Sequence, residues 1–368
     1  MSEWKECKLV DVAQFKNGKS RPSEIVNGTI PIYGGNGILG YTDTFNYQGE
    51  TVIVGRVGAY CGSVFFEYKP IWVSDNALYT IPKNETDAKF LYYLLKNMGL
   101  NSQAEGSSHP LLTQTLLNSL DVFVTDSLPE QRAIAGVLSS LDDKIDLLHR
   151  QNKTLEGMAE ALWRQTFVEE ADTGWDEVSL LEIIDLVGGG TPKTEVAEYW
   201  DGSICWLAAK DITENHKSFI VQTEKTITEK GLNNSSARLL PKYSTIISAR
   251  GTVGNYCILS TPMAFSQSNY GILPKIKDCY FFTYLLIAHV IDELKMAAYG
   301  SVFDTITTNT FKEQRVQVPS QDQIALFEEG IKPYFNKIYM NTIQIRTLSR
   351  LRDTLLPKLM SSEVRVKL

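Results

Sequence analysis

No stretch of the chain approaches the ~18 consecutive apolar residues that a membrane span requires. The first residues, MSEWKECKLVDV, carry acids and no apolar core, which speaks against secretion. Cysteine is scarce: Cys7, Cys61, Cys205, Cys257 and Cys279 are odd in number, scattered and never spaced C-x-x-C. Reduced thiols in a cytosol are expected, and a structural zinc is not. The four histidines show no ligand spacing. Two strings imitate phosphate loops and fail. NGKS from Asn17 has Ala13 where a glycine is required, and Pro22 argues against the helix that should follow. Gly188-Gly189-Gly190 runs into Thr191-Pro192 without the G-x-G-x-x-G pattern and reads as a flexible turn. There is no Asp/Asn-Pro-Pro-Tyr of an amino-methyltransferase and no nuclease core beyond an isolated E-x-K at Glu67 to Lys69. Cations are outnumbered, 36 Lys+Arg against 43 Asp+Glu for a net charge of −7, which lowers the expectation of nucleic-acid binding. Nothing resembles an active site.

What the chain does have is itself twice. Its 368 residues, 43% hydrophobic and 21% charged, suffice for two or three cored domains. Trp4 and Leu9 recur as Trp175 and Leu180, and TVIVGRVGAYCG from Thr51 is echoed by TIISARGTVGNYCI from Thr245. Arg56 aligns with Arg250, and after a two-residue insertion Gly58, Tyr60 and Cys61 align with Gly254, Tyr256 and Cys257. Further matches are Pro82 with Pro274, FLYYLL with FFTYLL, Gly106-Ser107 with Gly300-Ser301, and Pro129, Gln131 and Ile134 with Pro319, Gln321 and Ile324. The order is kept throughout, as duplication requires. Each half reads as a mixed domain with β-rich runs at Thr51 to Val54 and Thr245 to Ser248. Short helices are expected at Lys89 to Asn97 and Tyr280 to His289.

Beyond Pro129 the period changes. Leu138, Leu141, Ile145, Leu148, Asn152, Leu155, Ala159 and Leu162 alternate three and four apart, which predicts a helix over about Gln131 to Phe167. In the second half Ile331, Phe335, Ile338, Thr342, Ile345 and Ser349 take the equivalent slots, and the seam becomes ragged where Leu348, Leu351 and Leu355 shift the face. Asn152 and Thr342 fall at the same layer. Residues 127–171 carry 5 basic and 8 acidic side chains and residues 318–368 carry 8 and 5, so the helices have opposite charge. An antiparallel pair follows, with Asp142, Asp143 and Asp146 expected opposite Arg346, Arg350 and Arg352.

The segment LPEQRAIAGVLSSLDDKIDLLHRQNKTLEGMAEALWRQTF, together with VPSQDQIALFEEGI, DTLLPKLMSSEVRV and the I-x-A-R-G-x-V-G loop at Ile247 to Gly254, resembles the DNA specificity subunit of type I restriction–modification systems. The resemblance covers essentially the whole chain. It implies an α+β protein with two similar mixed target recognition domains separated by a long antiparallel two-helix coiled coil and related by a pseudo-two-fold repeat. The expected boundaries are 1–127 for the first recognition domain, 128–171 for the first helix, 172–317 for the second domain and 318–368 for the second helix. It further implies reading of a bipartite, asymmetric double-stranded DNA target in the cytoplasm, without catalysis by this chain. Two modification methyltransferase subunits and the restriction/translocase subunits would dock on it. S-adenosylmethionine, ATP and Mg would be bound by those partners, with no cofactor or metal on this chain and no membrane contact. Trp206, Lys210, Asp211 and Ile212 resemble the family's W-x-x-x-x-D-I turn, from which the first domain departs with IPIYGGNGILGY. Different half-sites are therefore expected.

Local cations and amides are the candidate DNA contacts: Lys16, Lys19, Arg21, Asn36, Arg56 and Tyr60 in the first domain. In the second they are Lys193, Lys210, Arg250, Thr252, Asn255 and Tyr256. Arg56 and Arg250 could instead brace their loops through ion pairs, and core packing is the favoured role for both tyrosines. The candidate helix interface is Leu141, Ile145, Leu148, Asn152 and Leu155 with Ile331, Phe335, Ile338, Thr342 and Ile345. A two-domain adaptor that binds only proteins is the alternative reading.

Overall fold

A computed structural model describes residues 3–24, 27–83, 86–106, 110–299 and 305–367. Ser107, Gly300 and Ser301 of the repeat matches lie outside them. The chain divides into two compact units, residues 1–145 with 347–368, and residues 146–346.

The first unit is built on a four-stranded antiparallel sheet in the order Ala13–Asn17, Ala77–Pro82, Thr51–Gly55, Val64–Glu67. Thr51–Gly55 is central and wholly buried, as its β-branched run TVIV dictates. The Thr51 hydroxyl donates to the Thr80 carbonyl at 2.7 Å, and the Val52 N–H donates to the Thr80 hydroxyl at 3.0 Å. These bonds extend the ladder past its last backbone pair and pin its register. A second sheet orders Gly37–Thr42, Ile30–Gly34 and Trp72–Val73, the last pair parallel. A ribbon of Trp4–Lys8 and Asp121–Thr125 precedes the first long helix, α1, Leu128–Arg164. The helix Ala88–Asn97 starts where Asp87 accepts from the Lys89 and Phe90 N–H groups at 3.0 and 2.9 Å.

The second unit repeats this plan. Its sheet runs Ile184–Gly188, Asn269–Pro274, Thr245–Ser248, Tyr256–Leu259, with Phe219–Ile220 added in parallel at the edge. Lys225–Ile227, Trp200–Leu207 and Ala264–Phe265 form the second sheet, again with its last pair parallel. A ribbon of Asp176–Ser179 and Arg315–Val318 precedes the second long helix, α2, Gln321–Met360. The helix expected at Tyr280 to His289 continues to Tyr299, because Val290, Ile291, Leu294 and Ala298 prolong its buried stripe. Its first N–H groups are satisfied from α2: the Glu328 carboxylate accepts from Phe281 and Phe282 at 3.1 and 2.7 Å. Burial raises the Glu328 carboxyl to about 7, against the lowering effect of those two bonds.

Each unit contains one stretch where α1 and α2 pack antiparallel. In the first, Asp142 accepts from Arg352 at 2.7 Å, and beyond the end of α2 Arg365 donates to Glu130 at 2.6 Å. In the second, Asn152 donates to Thr342 at 3.4 Å, and Phe167 meets Phe327 edge-on at 4.7 Å. Ile145, Leu148, Asn152, Ile331, Phe335 and Ile338 are buried; Leu141, Leu155, Thr342 and Ile345 are half-buried. Three details differ from the sequence expectation. Asp142 pairs with Arg352, within the expected set, and accepts from the Tyr93 hydroxyl, but Arg346 departs from that set and donates to the Val221 carbonyl at 3.4 Å. Leu162 is exposed and Trp163 is buried in its stead, since Trp163 and Phe167 turn into the second unit's own aromatic core against Phe282. The step from a three–four to a four–four spacing brings on the π-helical turn Gln165–Glu169. On α2, Leu351 is exposed and Leu356 buried, so the ragged seam resolves onto Leu356, Leu359 and Met360.

Candidate nucleic-acid interface

The two failed phosphate loops turn out to be one device used twice. Gly18 ends the first strand of its sheet; a Cβ there would stand 2.0 Å from the Ser74 carbonyl oxygen, and the Lys19 N–H donates to Val73 at 3.0 Å. At Gly189 a Cβ would stand 2.2 Å from the Ser266 carbonyl oxygen, and the Gly190 N–H donates to Phe265 at 2.9 Å. Both glycines permit the close approach of the first strand to the end of the parallel pair. The triple glycine is thus a packed junction, not a flexible turn.

Around the first junction the structure gathers several candidates. Arg56 donates to the Asn17 side-chain oxygen at 3.2 Å and through its N–H to Asn76 at 3.1 Å. Gly55 abuts the Gly35 carbonyl, which places the exposed Asn36 turn beside the Arg56 loop. Tyr60 stands 52% exposed on that loop. Lys16 and Lys19 are exposed, with no ion pair among the described residues. Arg21 is set apart, paired with Glu24 and donating to the Leu39 carbonyl at 3.0 Å. The Arg56 Nε is buried without a hydrogen-bond partner, so its guanidinium is half braced and half held back from water.

In the second unit Thr252 and Asn255 converge on Thr213, at 2.7 and 3.3 Å, and Arg250 is exposed without a side-chain partner among the described residues. Lys210 is bound to Glu224 at 2.9 Å, a bond that raises its pKa and neutralises it locally. Lys193 is exposed at the start of the loop into Trp200–Leu207, its carbonyl accepting from the Trp200 indole at 3.1 Å. Asp211 of the W-x-x-x-x-D-I turn is buried and accepts from the Ala208 and Glu224 N–H groups at 2.8 and 2.9 Å, a bracing role. Trp206 donates to the Gly190 carbonyl at 3.0 Å, which ties this turn to the glycine junction.

Tyr256 is 0% exposed, edge-on to His216 and Tyr284, and is removed from the set of possible DNA contacts. The reason is a register that the sequence match misjudged. Gly55 pairs with Ala77 as Ser248 pairs with Asn269, and Val54 faces Val64 as Ile247 faces Tyr256. Arg56 shares its hydrogen bonds, from its N–H to Asn76 and from Leu112 to its carbonyl, with Ala249, which bonds Ser268 and Ile306. Arg56 therefore corresponds to Ala249, Tyr256 to Val64, and the intervening loop is one residue longer in the first unit. Arg250 lies one position further along its loop than Arg56.

Sequence reasoning missed Asn17, Asn76 and Thr213, which had no motif of their own. It also missed Asn341, fully buried between the long helices and donating to the Asn152 side-chain oxygen at 2.9 Å and to Gln151 at 3.4 Å. Among the described residues no cluster of His, Cys, Asp and Glu could hold a metal, and no helix is long and apolar enough to cross a membrane. The five cysteines are unpaired.

The family model for the type I restriction modification DNA specificity domain matches this chain twice, over residues 1–157 and 172–347. The chain belongs to that family. It is a DNA-recognition subunit rather than an enzyme. It is 22% identical to the MjaIX specificity subunit of Methanocaldococcus jannaschii, over 99% of this chain and 94% of that one. It is 23% identical to the HindI specificity subunit of Haemophilus influenzae, over 72% and 73%. The type I S subunit from M. genitalium shares the fold, with a TM-score of 0.68 at 20% identity over 97% and 96% of the two chains. The two family matches coincide with the two repeats of the strand order, and each contains one glycine junction with its cation-bearing loop.

Proposed function

We propose that this specificity subunit reads a split, asymmetric DNA sequence, one half-site per recognition domain. In each domain the loop beside the glycine junction faces the bases. The observation that carries this reading is the duplicated sheet with unlike loops: eight residues, Arg56 to Ser63, against seven, Ala249 to Asn255, on the same frame. A duplicated frame conserves the approach to the duplex, and unlike loops present different donors to it. Exposed Lys16 and Lys19 supply phosphate contacts, and partner subunits neutralise the rest, which reconciles DNA binding with a net charge of −7. Two modification methyltransferase subunits dock on the long helices and the restriction subunits join them in the cytoplasm. S-adenosylmethionine, ATP and Mg reside on those partners.

The test is methylome sequencing of cells that carry the modification subunits with wild-type, Arg56→Ala or Arg250→Ala chain. Each variant is expected to relax one half of a bipartite motif and leave the other intact. Equal degradation of both halves by either variant would overturn the assignment of one domain to one half-site. Uniform loss of methylation on an unchanged motif would make these arginines phosphate contacts or braces.

A further inference from the structure

Within the first unit the edge strand Gly37–Thr42 breaks the usual rule for sheet edges. Edges are blunted with charge or proline, yet here Ile38, Leu39 and Tyr41 are 48%, 37% and 47% exposed. Leu39 is the extra residue of a β-bulge between the Ile32–Gly40 and Tyr33–Ile38 pairs, which interrupts the ladder and leaves Ile38 and Leu39 both exposed. Leu39 rests on Gly34, and its carbonyl is taken by Arg21, which discourages another strand from pairing there. At its start the strand joins the Asn36 turn beside the Arg56 loop, and at its middle Arg21 reaches the Leu39 carbonyl. Apolar side chains thus adjoin the Arg56 loop at the start of the strand and the Arg21–Glu24 pair at its middle. The strand in the same place in the second unit's sheet, Lys225–Ile227, is different: Lys225 is exposed over the Trp200 ring, and Ile227 is buried.

We infer that Ile38, Leu39 and Tyr41 form an apolar reading edge that selects thymine in the half-site of the first domain by contact with its 5-methyl group. A β-ribbon fits the major groove, and the thymine methyl is the one apolar mark the groove displays. Arg56 beside the start of the strand holds a flanking phosphate, while Arg21 is neutralised by Glu24, so the strand offers little net charge to reward non-specific binding. The second domain, with a polar strand in this place, does not depend on the methyl group.

This inference rests on the one-domain, one-half-site reading, and the experiment separates the two. The full chain assembled with its modification subunits is assayed for binding to its methylome-defined target, with deoxyuridine replacing thymidine in one half at a time. Burying one methyl contributes ~0.8 kcal/mol, so each critical replacement should weaken binding about four-fold, in the first domain's half only. The variant pair Leu39→Ser and Tyr41→Ser should bind thymidine and deoxyuridine targets equally. Both are surface changes, and retention of second-half recognition checks that the variants are folded. A half-site without an A·T pair, an unchanged affinity on replacement, or a variant that keeps the wild-type preference would each overturn the reading edge. Loss of the preference in both halves at once would instead sink the one-domain, one-half-site reading. Binding of a partner polypeptide to this strand, with DNA affinity unaffected by the variants, would refute a DNA role for it.

Discussion

The buried amides between the long helices give a prediction with an unusual sign. Asn341 is 1% exposed; its amide nitrogen serves Asn152, and its own oxygen has no partner. Replacing Asn341 by Leu removes one unsatisfied atom but strands the Asn152 oxygen. Replacing Asn152 by Leu takes the best acceptor from the Asn341 nitrogen, which keeps only the 3.4 Å bond to Gln151. Each stranded group costs about 1–3 kcal/mol, and leucine is close to asparagine in shape, so little overpacking opposes the change. Either single variant should therefore lower the melting temperature of this unit by roughly 3–8 °C, at ~2–4 °C per kcal/mol for ~200 residues. The double variant removes both polar partners and should melt at or above the wild-type temperature. That requires a favourable coupling equal to the sum of the two losses, about 2–6 kcal/mol, in the double-mutant cycle. The assay is differential scanning calorimetry, with light scattering to follow oligomeric state. If the double variant loses the sum of the two single losses, the amides do not depend on each other. If it is more stable, monodisperse and fully active, the layer has no part in fixing helix register.

Other perturbations follow from the same geometry. Arg352→Glu should destabilise the first unit by ~1–3 kcal/mol, and Asp142→Arg should restore part of it, since Tyr93 still lacks its acceptor; no restoration would deny the pairing. Glu328 is raised to about 7, so it contributes stability that is fully present below its unfolded value of 4.5 and is lost as pH rises through 7. Unfolding of the second unit followed from pH 5 to 8 should show a decline on the order of 3 kcal/mol, and Glu328→Gln should flatten it. Gly18→Ala and Gly189→Ala must displace a backbone carbonyl and should each cost ~1–3 kcal/mol or more. Gly136→Ala, on α1 with nothing within 4 Å, should instead raise stability by ~0.8–1 kcal/mol. Chemical denaturation of the three variants decides it.

The family, the duplication and the two long helices were legible because each leaves a pattern that survives divergence: matched strings in order, a 3.5-residue period, opposite charge. The loops were not. Tyr60 and Tyr256 share a sequence neighbourhood, but the ladder that sets their register is formed by residues elsewhere in each sheet, and a one-residue difference in loop length sends one ring to solvent and the other to the core. Asp142 and Arg352 were both legible among three acids and three arginines but not as a particular pair, because charge composition fixes which helices attract and says nothing of register. The glycine junction was hidden for another reason. Gly18 and Gly189 matter through the backbone they approach, and no side chain advertises that.

The helix that begins near residue 88 and the helix that begins at residue 280 are counterparts, yet their first N–H groups are served from different places. Asp87 belongs to the domain it caps, whereas Glu328 belongs to the long helix that follows. The position on α1 that corresponds to Glu328 is Leu138, which has no acceptor to offer. Portability is therefore unequal. The first domain keeps its cap on any helix that brings a residue like Gln131, which accepts from the Asp87 N–H at 2.8 Å. The second, cut at its boundary with α2, would leave two buried donors empty unless the recipient helix brings a carboxylate to the same turn. Exchange of recognition specificity between such subunits should succeed more readily for the first domain, and for the second when the segment through residue 328 travels with it.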